Sequence, residues 1–484
     1  MKKAPLLTIF LIVFIDLIGF GILLPNQQYY GETLGIHNAF YLTLIGPAYS
    51  FFQFVFAPIL GAWSDRVGRR PVLIISQVGT LAGFLMLFSC HLAIGASAPL
   101  AIALLYGSRV LDGISGGNIS IASAYIADIT TPENRAKGYG VIGAAFGIGF
   151  IFGPAIGGLV GKHFGLAWVP IVAAVFSLTA LILTIFRLPE SLPGDARTHS
   201  HRKTLAEKED DKIALKPLEA ESPEIRPAAQ VRRFSLTGLR HALARPVIGA
   251  LIIMSFVNGF AFAGMEQTFS LLLQERAFPV APAAIAQYNA STQAHATTNP
   301  TEKSPQVLSA ENASGASGYL FCGIGLIIAI VQGGLIGRLV KAFGEAALTG
   351  VGPILIGIGL FTVGRAGSLI GVWPDFILGS MFMAFGSSIF NPSVQSLISR
   401  HANPNEQGEI LGAAQGMSSL ARAVGPMLAG YLFWRISSTM PYNVSAAICL
   451  LVAIGTLGMG HRLQPPAVPP EEPGFPVEPT KPNA

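Results

Sequence analysis

Five ionisable residues fall inside long apolar runs of a 484-residue chain in which only 12% of residues are charged: Asp16, Arg109, Asp112, Glu266 and Arg422. Glu266 lies towards one end of its run, the others near the middle. A lone charge at the centre of a bilayer costs about 2.5 to 3.5 kcal/mol or more, so each needs an opposite charge or a wet cavity. Arg109, Gly113, Gly116 and Ser120 share one helical stripe, and small residues on a stripe suit inward packing. Asp16 is then the natural partner of Arg109 across helices, with Asp112, one turn along the same helix, competing for it. Loss of water draws such a carboxylate towards its neutral form and a nearby cation towards its charged form. Opening to water, or a substrate that takes over the arginine, therefore binds or releases a proton. The chemistry implied is proton exchange tied to a change of shape. The bland alternatives are a permanent Asp16–Arg109 pair that only fixes packing, and a Glu266 simply wetted from outside.

A second concentration of charge is "GAWSDRVGRR", residues 61 to 70. Gly61 is expected to let its helix approach a neighbour, and Gly68 to permit a tight turn. Asp65 suits a helix N-terminus or a basic neighbour, and Arg66, Arg69 and Arg70 can reach Asp128 and Glu133, with Arg135 close by in the same loop. This pattern reads as a latch between halves of the molecule on one side of the membrane. Orientation of the flanking helices is the competing reading.

What positions these residues is a set of rods. Roughly 20 apolar residues cross a hydrocarbon core about 30 Å thick. Runs of that kind fall at about twelve places: 6–25, 40–62, 71–90, 98–127, 138–160, 167–187, 246–273, 316–340, 347–364, 372–399, 408–433 and 440–460. With 51% hydrophobic residues, 55 Gly and 31 Phe, the chain reads as an all-α integral membrane protein. The net charge of +5 comes from basic residues in loops, which argues for an orientation signal and against nucleic acid. With the N-terminus inside, short cytoplasmic segments hold ten Lys and Arg and the outer loops five. Both termini are then cytoplasmic and the protein is multi-pass in a plasma membrane, the inner membrane if the source is Gram-negative. The 3 cysteines are far apart and imply neither disulfides nor a metal site.

The expected organisation is a six-helix bundle over 1–188, a largely disordered cytoplasmic linker over 189–245 rich in charge and Pro, and a second bundle over 246–463 with an extended outer loop at 277–315. A Pro-rich cytoplasmic tail covers 464–484. The two bundles repeat one another. "TTPENRAKGYGVIGAAFGIGFIFGPAIGG" (130–158) aligns with "ANPNEQGEILGAAQGMSSLARAVGPMLAG" (402–430), pairing Gly153 and Pro154 with Gly425 and Pro426. "GAWSDRVGRR" has a worn echo in "GRLVKAFGEA" (337–346). Paired bundles about a pseudo-symmetric axis are how many secondary transporters build a midplane site open alternately to each side. In the 138–160 run, Gly149, Gly153, Gly157 and Gly158 read as a close-packing surface and Pro154 as a kink.

These stretches carry a resemblance. "GAWSDRVGRRPVL" resembles the loop motif between spans 2 and 3 of the major facilitator superfamily, and "LLYGSRVLDGISGGNISIASAYIAD" (104–128) is similar to its span-4 motif, with Arg109 in the arginine position. "GIGFIFGPAIGG" (147–158) resembles the span-5 motif of proton-driven exporters. With "FIDLIGFGILLP" (14–25), the pattern is most similar to twelve-span drug/proton antiporters of the tetracycline-efflux type. Asp112 departs from it, standing where the family usually has a neutral residue. The resemblance implies two six-helix bundles and export of a small amphipathic molecule, drug or tetracycline-like, in exchange for protons. A proton-coupled importer or facilitator and a transport-inactive receptor remain as alternatives.

Aligning "FIDLIGFG" (14–21) with "FVNGFAFA" (256–263) sets Asn258 opposite Asp16. Asn258 and Phe262, with Tyr49, Gln53, Asn118, Gln332 and Arg422, would line an aromatic cavity with few polar anchors. No nucleophile elbow, zinc-protease motif or phosphate loop is present, so neither enzyme nor ATP-driven pump is implied, and no cofactor or metal. The expected partners are a small-molecule substrate, protons and the lipid bilayer, for a monomer.

Overall fold

The computed structural model describes residues 3–36, 38–93, 97–130, 132–192, 240, 242–294, 304–402 and 407–460. Most of the expected linker and the whole expected tail lie outside these. Among the described residues every regular element is helical. In chain order they are α1 (Lys3–Leu23), α2 (Gln27–Thr33), α3 (Ala39–Val67), α4 (Arg69–Ala93), α5 (Ala98–Ser115), α6 (Asn118–Ile129), α7 (Pro132–His163) and α8 (Val169–Arg187). The second half continues with α9 (Pro246–Ala277), α10 (Pro282–Ala294), α11 (Pro305–Ile330), α12 (Ile336–Phe343), α13 (Glu345–Gly364), α14 (Val372–His401), α15 (Gln407–Arg435) and α16 (Met440–Gly458). Nine helical stretches among the described residues are long and apolar enough to cross a membrane. The other three expected spans coincide with α5 and α6 together, with α7 and with α15.

Two of these rods depart from the expected runs. The 98–127 run is broken at Gly116 and Gly117, where the backbone turns through Gly116 N–H donating to Gly113 O at 3.1 Å and Gly117 N–H to Ser115 O at 2.8 Å. Ser120 therefore leaves the stripe of Arg109, Gly113 and Gly116 and is exposed. The expected outer loop 277–315 is shorter than its composition suggests, because α11 begins at Pro305 and is N-capped by Ser304, whose Oγ accepts from Val307 N–H at 3.3 Å. The small residues of 309–315 read as loop because they lack large apolar side chains. They are instead a face that neighbouring helices approach closely.

Within the first half α1 packs on α7 and α8, and α4 on α5 and α8. In the second, α9 packs on α15 and α16, and α13 on α14 and α16. Two seams join the halves, α7 with α11 and α3 with α15. They are related by the internal repeat: a Cβ at Gly158 would come 2.8 Å from Gly318 Cα, and its counterpart Gly430 abuts Thr43. Only a residue without Cβ fits there. At the end of the molecule carrying α2, one apolar core runs across both halves, with Ile22, Tyr29 and Leu42 packed together with Leu271, Ala310 and Ala313. At the opposite end, which carries the 61–70 decapeptide, each half has its own core, one around Ile12, Val72 and Ile126 and the other around Leu251, Val394 and Ile410. Burial of apolar surface thus holds the halves together at the α2 end.

Candidate functional site

Asp16 sits on α1, and its Oδ2 accepts from Asn118 Nδ2 at 3.1 Å and from Gln77 Nε2 at 3.3 Å. Its Oδ1 is buried with no hydrogen-bond partner. The break before α6 is what brings Asn118 there, and it leaves two carbonyls within reach of side chains. Ser115 O accepts from Ser76 Oγ, and Gly116 O accepts from Gln53 Nε2 at 3.0 Å. Ser76 Oγ also lies against Asn118 Oδ1, so its one hydroxyl proton is shared between that oxygen and Ser115 O.

The pairing of Asp16 with Arg109 is not the one formed. Arg109, 3% exposed, pairs with Asp112 instead, Nη1 to Oδ2 at 3.3 Å, and lies over the Phe84 ring at 5.9 Å. One turn of a single helix already holds the two side chains side by side, whereas a partner on α1 must be reached across a packed interface. Asp112 thus supplies Arg109 with its own counterion. Arg109 Nη2 is left buried without a partner.

On the second-half side, Arg422 donates from Nη2 to Ser419 Oγ at 3.0 Å and stands within electrostatic range of Glu266. Tyr49 joins the two sets. Its hydroxyl accepts from Gln53 Nε2 at 2.7 Å, its ring lies 5.3 Å from that of Phe20, and it stands within electrostatic range of Asp16, Arg109, Asp112 and Arg422. Tyr49, Gln53, Asn118, Asp16, Arg109, Asp112, Arg422 and Glu266 thus form one constellation. Phe262 is half-buried on α9, where it packs against the second-half core. Asn258 stands apart: it is 3% exposed and accepts from Cys449 Sγ at 3.8 Å, which turns it into the α9–α16 contact. Gln332 is exposed in a π-helical turn, Val331–Leu335.

The decapeptide is organised around Arg69. It bonds Asp65 Oδ1 at 2.5 Å, Asp128 Oδ2 at 3.0 Å and Ser64 Oγ at 2.7 Å. All of these contacts stay within the first half, so here the cluster fastens α3, α4 and α6 to one another and does not bridge to the second half. Glu190, at the start of the expected linker, accepts from the backbone N–H of Arg69 at 2.9 Å and of Arg70 at 3.2 Å. It thereby caps the N-terminus of α4, where a carboxylate meets both orphan donors and the positive end of the helix dipole. Gly68 has φ +117°, which a side chain rarely adopts. Gly61 differs from expectation: a Cβ there would meet nothing within 4 Å, so no helix approaches it. Arg66 is exposed, Arg70 Nη2 donates to Ile185 O at 2.5 Å, and the side chains of Glu133 and Arg135 lie outside the described residues.

The small-residue face of α7 divides its contacts. Gly149 and Gly153 meet α1, where a Cβ would come 2.8 Å from Leu17 Cβ and 2.7 Å from Gly21 Cα, and Gly157 abuts the Ile22 carbonyl. Gly158 turns to the other half. Pro154 lies within the continuous helix α7, its ring 3.2 Å from where a Cβ of Gly21 would stand. In the repeat, Gly425, ahead of Pro426 in α15, abuts the Phe260 carbonyl of α9.

The α2 end holds a polar cluster that sequence reasoning missed. Gln27 and Gln28 both donate to Gln267 Oε1, at 2.6 and 2.7 Å, and Gln267 lies over Gly46. Tyr29 Oη donates to Ser270 O at 2.7 Å and bonds Ser317 Oγ, while Asn26 Oδ1 accepts from Ser314. Gln274 Nε2 donates to Glu32 Oε2 at 2.9 Å. Burial pushes the Glu32 carboxyl up to about 7, against the downward pull of that hydrogen bond. The available signal was the polar run "NQQYYGET" between two apolar rods, too short for a span and too rich in amides for a plain connector.

The model of the Major Facilitator Superfamily matches residues 9–292 and 296–482. The chain is 28% identical over 455 residues to Major facilitator superfamily domain-containing protein 10 of Bos taurus, covering 94% of this chain and 84% of the relative. It is 27% identical over 450 residues to the class C tetracycline resistance protein of Escherichia coli, covering 91% and 93%. Among solved structures it resembles the human organic anion transporter MFSD10 (TETRAN), with a TM-score of 0.58, 25% identity and 94% and 99% of the two chains covered. Twin bundles joined by two repeat-related seams around a charged constellation, together with this match along most of its length, place the chain in the Major Facilitator Superfamily, a transporter and not an enzyme.

Proposed function

We propose that this protein exports a small amphipathic molecule in exchange for protons, by twelve spans that alternate access to the constellation around Asp16 and Tyr49. One observation carries the reading: Asp16 is held only by the neutral amides of Asn118 and Gln77, with one oxygen unpartnered, while the nearby arginine is occupied by Asp112. A carboxylate without a cation of its own is the group whose proton follows the water that reaches it. One proton crossing 100 mV is worth about 2.3 kcal/mol, enough to sustain roughly a fiftyfold gradient of a neutral solute. Lysine and arginine bias puts the decapeptide end in the cytoplasm, so the α2 end, where the halves are packed together, faces out. The glycines of α7 and α15 let that end close, and the Arg69 cluster keeps the first bundle rigid as it rocks.

The substrate class draws on two things. The tetracycline resistance relatives favour an amphipathic drug. Arg422, bonded to two serines in the second half, together with the likeness to a human organic anion transporter, favours cargo with an acidic group.

Everted vesicles with an imposed proton gradient, challenged with tetracyclines and aromatic organic anions, test the reading. The parent protein is expected to accumulate at least one of them, and Asp16→Asn to lose proton-driven accumulation while still exchanging substrate for substrate. Parental proton-driven rates in Asp16→Asn would remove Asp16 from coupling. Uptake into intact cells accelerated by the same gradient would make the protein an importer.

A further inference from the structure

On the outer wall of the α7–α11 seam a crevice of about 510 Å³ runs between α11 and α14, within the size range of small-molecule sites. Its lining extends along α11 from Asn312 to Ile327, about 22 Å at 1.5 Å per residue, so it is a long slot and not a bowl. Four features give it a chemistry. Its walls are almost wholly apolar, and Tyr319, Trp373, Ile377 and Met381, which are 41–56% exposed, open it sideways onto the surface that a bilayer covers. A Cβ at Gly323 would meet nothing within 4 Å, so that glycine leaves the slot clear midway along its length. Lys162, in the last turn of α7, stands on its lining, as do Phe278 and Trp373, which stack edge to face at 5.8 Å. Ser380, also on the lining, is 4% exposed, and its buried Oγ has no hydrogen-bond partner.

We infer that this crevice binds one acyl chain of an anionic phospholipid, with the phosphate on Lys162 and an ester carbonyl accepting from Ser380 Oγ. The slot is long and narrow enough for a chain. Its entrance faces lipid, and its lining combines a cation with Tyr and Trp of the kind that mark a membrane–water interface. A phospholipid already fills that surface at high concentration, which singles it out over a free amphiphile. The stem of Lys162 also crosses Gly315, where a Cβ would come 2.8 Å from Lys162 Cδ. The headgroup therefore sits on a first-half residue while the tail lies on second-half helices. Such an occupant ties the halves together at the α2 end and favours the arrangement closed there. The inference stands on this seam and does not depend on cargo or direction of transport.

Native mass spectrometry of the delipidated full-length protein, re-exposed to vesicles of phosphatidylcholine with either phosphatidylglycerol or oleate, tests it. Retention of phosphatidylglycerol over phosphatidylcholine is expected, falling about fivefold in Lys162→Glu, the scale of one lysine at an anionic lipid surface. Gly323→Leu fills the slot without touching charge and is expected to reduce retention of both phospholipids. Because its new side chain enters open space, the variant keeps the fold, which its melting temperature checks. Oleate is expected to compete poorly. Equal retention of the two phospholipids by the parent, retention unchanged in both variants, or displacement by equimolar oleate would each overturn the assignment, the last in favour of a free amphipathic acid.

Discussion

The two halves solve the same structural problem with opposite charges. In the first, Gly68 at φ +117° turns α3 into α4, and Arg69 at the head of α4 pairs with Asp128 at the end of α6. In the second, Gly344 at φ +78° turns α12 into α13, and Glu345 at the head of α13 pairs with Arg400 near the end of α14 at 3.2 Å. Glu345 stands opposite Arg69 in the repeat and Arg400 opposite Asp128, so the fold asks for an ion pair at this corner and is indifferent to its sign. The settings differ. Arg69 has three side-chain partners and a side chain 6% exposed, whereas the Arg400 side chain is 53% exposed and Glu345 has one further side-chain partner, Ser396. A buried ion that loses its partners is costly, while an ion pair open to water is weak.

The largest expected effect tests that contrast. Arg69→Ala removes a buried guanidinium together with its bonds to Asp65, Asp128 and Ser64 and is expected to cost about 3 kcal/mol, against about 1 kcal/mol for Arg400→Ala, where Glu345, 10% exposed, loses an exposed partner and keeps Ser396, read as loss of melting temperature in detergent. If polarity is free, the double exchange of Arg69 to Glu with Asp128 to Arg recovers part of the loss. No recovery would mean that Ser64 and Asp65 have committed the first half to a cation.

The halves differ again at the α2 end, where Glu32 of the first half meets Gln274 of the second. In the packed arrangement its carboxyl sits near 7, against about 4.5 for an ordinary glutamate. The packed form therefore binds the extra proton. Its contribution to closure is complete below about pH 4.5 and is lost as pH rises through about 7. Distances between spin labels across this end are expected to lengthen from pH 5 to pH 8 in the parent and to stay level in Glu32→Gln. A pH response that survives in the variant would assign the switch to another group.

Two glycines of the decapeptide give smaller effects. Gly68→Ala forces a side chain into a left-handed conformation and is expected to cost about 1 to 2 kcal/mol. Gly61→Ala adds a methyl where there is open space, and is expected to be neutral or to stabilise by up to about 0.5 kcal/mol, since glycine inside a helix is unfavourable. A large loss at Gly61 would indicate a second arrangement in which a helix does approach it.

The rods, the internal repeat and the decapeptide corner were legible because each is written in consecutive residues: a run of apolar side chains, a Gly-Pro pair recurring at fixed offset, a glycine between two helices. The partners of the charged residues were not. Asp16 and Asp112 were both eligible for Arg109, and nothing in the spacing revealed that a break at Gly116 would deliver Asn118 to Asp16. Glu190 was read with the charged linker, yet it caps α4. The α2 amides were invisible as a cluster, because Gln27 and Gln267 are 240 residues apart.

By itself, then, the sequence determined where the apolar helices run, that they form two related sets, and which few charges fall within them, since hydrophobic length and periodicity act locally. Only the tertiary structure decided which charge faces which, that the halves pack together at the α2 end, and that an apolar slot opens beside Lys162. A side chain's partner depends on how separate helices rotate and cross, and that is settled by packing all of them at once.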